Sequence, residues 1–122
     1  MLCQNEVITQ ALCLLGYDAD DSGGQPYTRL WDKAPAALRA VYADLTAAER
    51  GAPEVLPDGA YTPLPLSPRG AEALPVGLAA ALAQLIGSSE DSERLTAQYA
   101  KKRAGLSGFA ARADVLPVTE GG

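Results

Sequence analysis

The chain has 122 residues and a net charge of −5; 48% of it is apolar, yet it holds only one Trp, one Phe and five Tyr. That length builds one ordinary domain with a modest core. Because alanine supplies much of the apolar fraction, the core is expected to be thin and to complete its burial against copies of itself or a partner. The acidic balance argues against a dedicated nucleic-acid binder, and the lack of any histidine removes the usual serine or cysteine triad.

At the N-terminus, "MLCQNEVITQ" has no charged segment followed by a long apolar run. No stretch of the chain approaches the roughly 18 to 20 apolar residues of a membrane span. A soluble protein made in a cytoplasm is expected. Cys3 and Cys13, the two cysteines, read as reduced thiols rather than a disulfide, and zinc lacks its usual histidine companions.

In "NEVITQALCLLG" the residues Val7, Ile8, Ala11, Leu12, Leu14 and Leu15 recur at helical spacing, with Asn5 as N-cap and Gly16 as stop. An acidic, turn-rich loop follows. Its Asp18, Asp20, Ser22 and Gly23 match the first half of a calcium loop, but Arg29 stands where a bidentate Glu is needed, so a solvated loop is expected. No metal or other cofactor is assigned. Next, "TRLWDKAPAALRAVYADLTAAERG" is the clearest helix, with Trp31, Ala34, Leu38, Val41, Tyr42 and Leu45 on one stripe. Asp32 is its expected cap, with Pro35 in the first turn.

From Gly51 to Pro75 the chain carries six prolines, and each would cost about 3 kcal/mol inside a helix. A long extended loop is expected, or a small hairpin turning at Pro57, Asp58 and Gly59. Its apolar residues Val55, Leu56, Tyr61, Leu64 and Leu66 are candidates for contact with a neighbouring subunit, since long loops tend to form interfaces. After Pro75, "VGLAAALAQLIG" is apolar nearly all round and reads as a buried helix. Ser88 with Asp91 then has the spacing of a capping box, so a new helix starts after the Gly87 break.

This last helix offers only Leu95 and Tyr99 as strong apolar anchors before "AKKRAG". Lys101, Lys102 and Arg103 form the one cationic cluster. They suit a helix C-terminus, or contact with phosphate or an acidic protein surface. Beyond Gly105 the tail holds Leu106, Phe109, Val115, Leu116 and Val118, more large apolar groups than a solvated tail usually carries. Docking on a partner is expected there. Neither a G-x-x-x-x-G-K-[ST] nor a G-x-G-x-x-G motif occurs, and no catalytic residue is assigned.

The order of elements carries a resemblance. A helix ending A-L-x-L-L-G is followed by a longer helix with Trp and Tyr, a Pro-rich excursion, and "ALPVGLAAALAQLIGSSEDSERLTAQYAKKRAG". This last stretch resembles the C-terminal helices of tailed-bacteriophage head-tail connector (adaptor) proteins: a proline (Pro75), an Ala/Leu-rich helix (Leu78 to Ile86), a small polar break (Gly87 to Ser89), and Tyr99 with Arg103 as a Y-x-x-x-[RK] segment. "EVITQALCLLG", Glu6 to Gly16, is similar to the family's first helix. The resemblance covers residues 5–105, and the acidic loop at 18–21 has no counterpart in the pattern.

The resemblance implies a mainly α fold: a small bundle of about four helices, with a Pro-rich loop or hairpin between the second and third and an extended C-terminal tail. It divides the chain into a helical body, 1–105, and a docking tail, 106–122. It further implies a non-enzymatic virion protein of the neck, assembled as a ring of about twelve copies between the portal and the next neck or tail protein. Such a ring extends the DNA channel, with DNA close by but not specifically bound, and has no membrane partner. A small cytoplasmic helical interaction module is the alternative reading.

Overall fold

The computed structural model describes residues 2–17 and 25–121; the side chains of 25–28 and 107–121 lie outside that description. Four helices make up the described chain: α1 (Gln4–Leu14), α2 (Gln25–Arg50), α3 (Pro68–Leu85) and α4 (Ser89–Gly121). The helices expected from periodicity form the mainly helical bundle that the resemblance implies.

Helix α1 buries Val7, Ile8, Ala11 and Leu12 of its expected stripe, whereas Leu14 is exposed and Leu15 packs half-buried at the helix end. It begins after Cys3 rather than after Asn5, and no side chain caps it. The loop between α2 and α3 takes over that task. The Asn5 N–H, an orphan donor of the first turn, donates to the Ala60 carbonyl at 3.1 Å, and Asn5 is thereby inside the helix. At the other end, Gly16 adopts a positive φ of 92°. The N–H groups of Gly16 and Tyr17 donate to the carbonyls of Cys13 and Leu12, which is the Schellman arrangement.

Helix α2 starts at Gln25 and runs through both Asp32 and Pro35, so neither stands at its beginning. The reason is the length of its apolar stripe. Leu30, Ala34, Leu38, Tyr42 and Leu45 are all buried at helical spacing across the proline, and burying each Leu stabilises by about 1.5–3 kcal/mol. That is enough to carry the helix past one missing N–H. Trp31 and Val41 pack half-buried against the same core.

Residues 51–67 form the connection to α3. No strand occurs among the described residues; the single antiparallel bridge joins Cys3 to Pro63, so the segment is a loop and not a hairpin. It is also shorter than its proline content suggests. Helix α3 begins at Pro68 and contains Pro75 in its interior. Residues 73–80 are buried without interruption, and this burial outweighs the lost hydrogen bond at Pro75.

The start of α3 is fixed by three residues. Ser67 is the N-cap, its Oγ accepting from the Gly70 N–H at 3.1 Å. The carboxylate of Glu49, at the end of α2, accepts from both the Ser67 N–H and the Ser67 hydroxyl. A negative group at a helix N-terminus also meets the positive end of the macrodipole. Ser67 and Glu49 together thus lock the end of α2 to the beginning of α3.

Helix α3 is the centre of the bundle and packs against all three others. It ends at a second Schellman turn: Gly87 has φ 73°, and Gly87 and Ser88 donate to the carbonyls of Gln84 and Ala83. Ser88 then opens α4, its hydroxyl donating to Asp91 Oδ2 at 2.9 Å. Helix α4 has 33 residues, about 50 Å of helix. It passes through Gly105 and Gly108, where a break was expected; each glycine costs only about 1 kcal/mol against alanine. Leu106, assigned to the tail by the sequence, is buried in the core cluster, so the folded body includes it.

Candidate interaction surfaces

The five apolar loop residues divide into two groups. Leu56 and Leu64 are buried in the chain's own core and Leu66 packs at its edge. Val55 and Tyr61, in contrast, are 88% and 78% exposed. The inward residues anchor the loop, and polar ties reinforce them. The Leu64 N–H donates to the Leu2 carbonyl at 2.8 Å, Gln4 Nε2 to the Pro57 carbonyl at 2.6 Å, and the Glu54 N–H to the buried Thr46 Oγ1 at 2.9 Å. Arg50 reaches Glu54 at 2.8 Å, and this bond is the main cause that raises the Arg50 pKa. Val55 and Tyr61 are therefore held outward by a loop tied at several points.

The cationic cluster lies inside α4, well before its C-terminus, so complementing the helix dipole does not account for it. Its members differ. Arg103 Nε donates to Asp44 Oδ2 of α2 at 2.8 Å, and the Tyr99 hydroxyl donates to the same oxygen at 2.7 Å. Burial, reinforced by the Asp44 carboxylate that accepts its proton, raises the Tyr99 pKa. Lys101 and Lys102 are exposed and have no ion-pair partner among the described residues. Arg103 is thus a tie between helices, whereas the two lysines face outward.

Beneath Tyr99 the helices come unusually close. A Cβ placed on Gly77 of α3 would lie 2.6 Å from Val41 Cγ1 and 2.7 Å from Tyr99 Cε1. Only the missing side chain lets α2, α3 and α4 meet there.

A mostly apolar groove of 530 Å³ runs between α1 and α3, lined by Cys13, Leu14, Pro75 and Val76, with Glu72 and Lys102 as its charged members. Neither of these two charges has an ion-pair partner among the described residues. Cys13 is exposed, while Cys3 is buried. Leu85 and Ile86, at the end of α3, add a smaller exposed apolar pair.

Other expected sites are placed as follows. Leu106 belongs to the core and is unavailable for docking. The side chains of Phe109, Val115, Leu116 and Val118 lie outside the described residues, as do Asp18, Asp20, Ser22 and Gly23 of the acidic loop. Among the described residues, no cluster of acidic or cysteine side chains is arranged to hold a metal ion, and no helix is long and apolar enough to cross a membrane. The resolved pKa shifts raise Tyr42, Tyr99 and Arg50 and lower Asp91, whose carboxylate is held by Arg94 and Ser88. All four move away from neutrality, the opposite of what proton transfer near pH 7 requires.

Three features escaped sequence reading. The Asp44–Tyr99–Arg103 cluster and the Glu49–Ser67 lock join residues far apart in the chain, and Gly77 carries no periodic signal of its own. The Ser67-Pro68 pair does carry one, since Ser at N-cap and Pro at N1 mark a helix start. Compared with protein-family models, curated proteins and solved structures, the chain matches none.

Proposed function

We propose that this chain is a structural subunit of a tailed-phage neck, assembling as a ring between portal and tail and acting through surfaces rather than catalysis. The observation that carries the reading is the hinged α3–α4 pair. Helix α3 is buried within the bundle, and after the Gly87–Ser88 turn the chain continues into α4, which has 33 residues against the 18 of α3. Of the described α4 side chains only Leu95 and Leu106 are buried. A helix whose described side chains are so little covered by their own chain is suited to contacts with neighbours, which add the burial a thin core lacks.

The order of elements that resembles the connector family is supported by four helices in the expected succession. Lys101 and Lys102, outward and unpaired, suit the wall of a DNA channel or an acidic neighbour, where a few cations permit contact without tight binding. Phe109, Val115, Leu116 and Val118 are the proposed portal-docking residues. Removing 107–122 tests this role: the truncated chain retains its cooperative melt and loses binding to the portal. Loss of the melt, or unchanged portal binding, would refute it.

The alternative, a small cytoplasmic interaction module, draws support from the outward Val55 and Tyr61. A discrete monomer or dimer that ignores portal and captures a host protein through the loop would favour it.

A further inference from the structure

The loop tip and the α1–α3 groove are two apolar features on different parts of one chain. The tip presents Val55 and Tyr61 almost fully to solvent. The groove is an open cleft whose 530 Å³ falls within the roughly 300–1,000 Å³ of ligand-binding clefts. Each also carries an unpaired charge of the opposite sign to one on the other, Asp58 on the loop and Lys102 beside Glu72 in the groove. Residues 51–67 contain two acids, Glu54 and Asp58, and no base; Glu54 is paired with Arg50, which leaves Asp58 exposed without an ion-pair partner among the described residues. Lys102 of the groove is equally unpaired, unlike Arg50, Arg94 and Arg103.

We infer that the two surfaces meet between copies: the tip carrying Val55, Asp58 and Tyr61 seats in the groove of a second copy of this chain. Tyr61 and Val55 cover the exposed Cys13 and Leu14, over a groove floor of the buried Pro75 and Val76, and Asp58 pairs with Lys102. This rests on the ring reading above and gives the ring a specific contact. Two different patches of one chain that fit each other form a heterologous interface, which closes into a ring or runs on as a filament. Glu72 sets the polarity. A docked carboxylate is attracted to Lys102 and repelled by Glu72, so the loop enters in one orientation.

The test uses the full chain. Light scattering over a concentration series is expected to show self-association that Tyr61→Ala, Asp58→Lys or Lys102→Glu weakens by about tenfold or more. The exchange Asp58→Lys with Lys102→Asp recovers most of it, and Glu72→Gln does not weaken it. All these side chains except Glu72 and Lys102 lie on the loop surface, and equal melting temperatures at concentrations low enough for every chain to be single check that each variant folds. Independently, Val55→Cys treated with a short bismaleimide should yield covalent dimers and higher species through Cys13 of the next copy, and Cys13→Ser should abolish them. Wild-type association that is indifferent to the substitutions, or a cross-link formed only within one chain, overturns the contact and leaves the ring reading standing. A wild-type chain that remains single at every concentration and gives no cross-link also overturns it. If the chain still forms a ring on portal, the neck reading survives without this contact.

Discussion

The hydroxyl of Tyr99 in α4 donates to the Asp44 carboxylate of α2 at 2.7 Å, across 55 residues of sequence. The same oxygen accepts from Arg103, so one exposed carboxylate orients two side chains of α4 against α2. Tyr99→Phe removes the tie and keeps the ring. A loss of about 1 kcal/mol in urea unfolding is expected, and Arg103→Ala should cost no more than about 1 kcal/mol because its pair is exposed.

The same hydrogen bond predicts a pH effect. Burial and the Asp44 carboxylate raise the folded-state pKa of Tyr99 above its ordinary value of 10.0. The unfolded chain then releases that proton first as pH rises. The stability Tyr99 contributes is fully present below about pH 10 and is lost progressively above it. Unfolding followed from pH 8 to 11 should show an alkaline decline that is shallower in Tyr99→Phe. Tyr42, raised in the same direction, supplies the part that remains; identical declines would remove Tyr99 from the account.

Gly77 has no room for a methyl group. With Val41 and Tyr99 both under 3 Å from the position of a Cβ, Gly77→Ala should destabilise by about 1–3 kcal/mol, although alanine is the better helix former. Val41→Ala in the same chain should return part of the loss. A stabilised Gly77→Ala variant would mean that the three helices do not cross as described.

Loop residues should separate by burial. Leu64→Ala is expected to cost about 2–5 kcal/mol, like other buried leucines. Val55→Ala and Tyr61→Ala, at exposed positions, should stay within about 0.5 kcal/mol. Thermal melts of the three variants check the division, and comparable losses at Leu64 and Tyr61 would contradict it.

Ser67→Ala removes both the cap of α3 and the hydroxyl held by Glu49. A loss of about 1–2 kcal/mol is expected, with most of it recovered in Ser67→Thr. A neutral Ser67→Ala would show that the Glu49 lock contributes little.

What the sequence made legible follows from the range of each interaction. Apolar periodicity identified the inward faces of α1, α2 and α3, and the stops at Gly16 and Gly87 are local turns that require a positive φ. Helix starts were less legible. Asn5 and Asp32 are good caps, but one orphan donor of α1, the Asn5 N–H, is met by a loop 55 residues on, and the α2 stripe begins before Asp32. Pro75 and Gly105 read as breaks because local propensity opposes them, and in both cases the helix passes through. Of the candidate site, the loop and the basic cluster were found as segments. Which members turn inward, Leu56, Leu64 and Arg103, and which outward, Val55, Tyr61 and Lys102, depends on packing partners from other helices that no local pattern encodes.

Mass determination by light scattering, on the purified chain alone and mixed with a candidate portal ring, tests the structural-subunit reading most directly. The account predicts a closed ring, or a single chain that joins the portal at stoichiometric occupancy and as a complete circle. A monomer or dimer that stays so at every concentration and does not bind portal would contradict it.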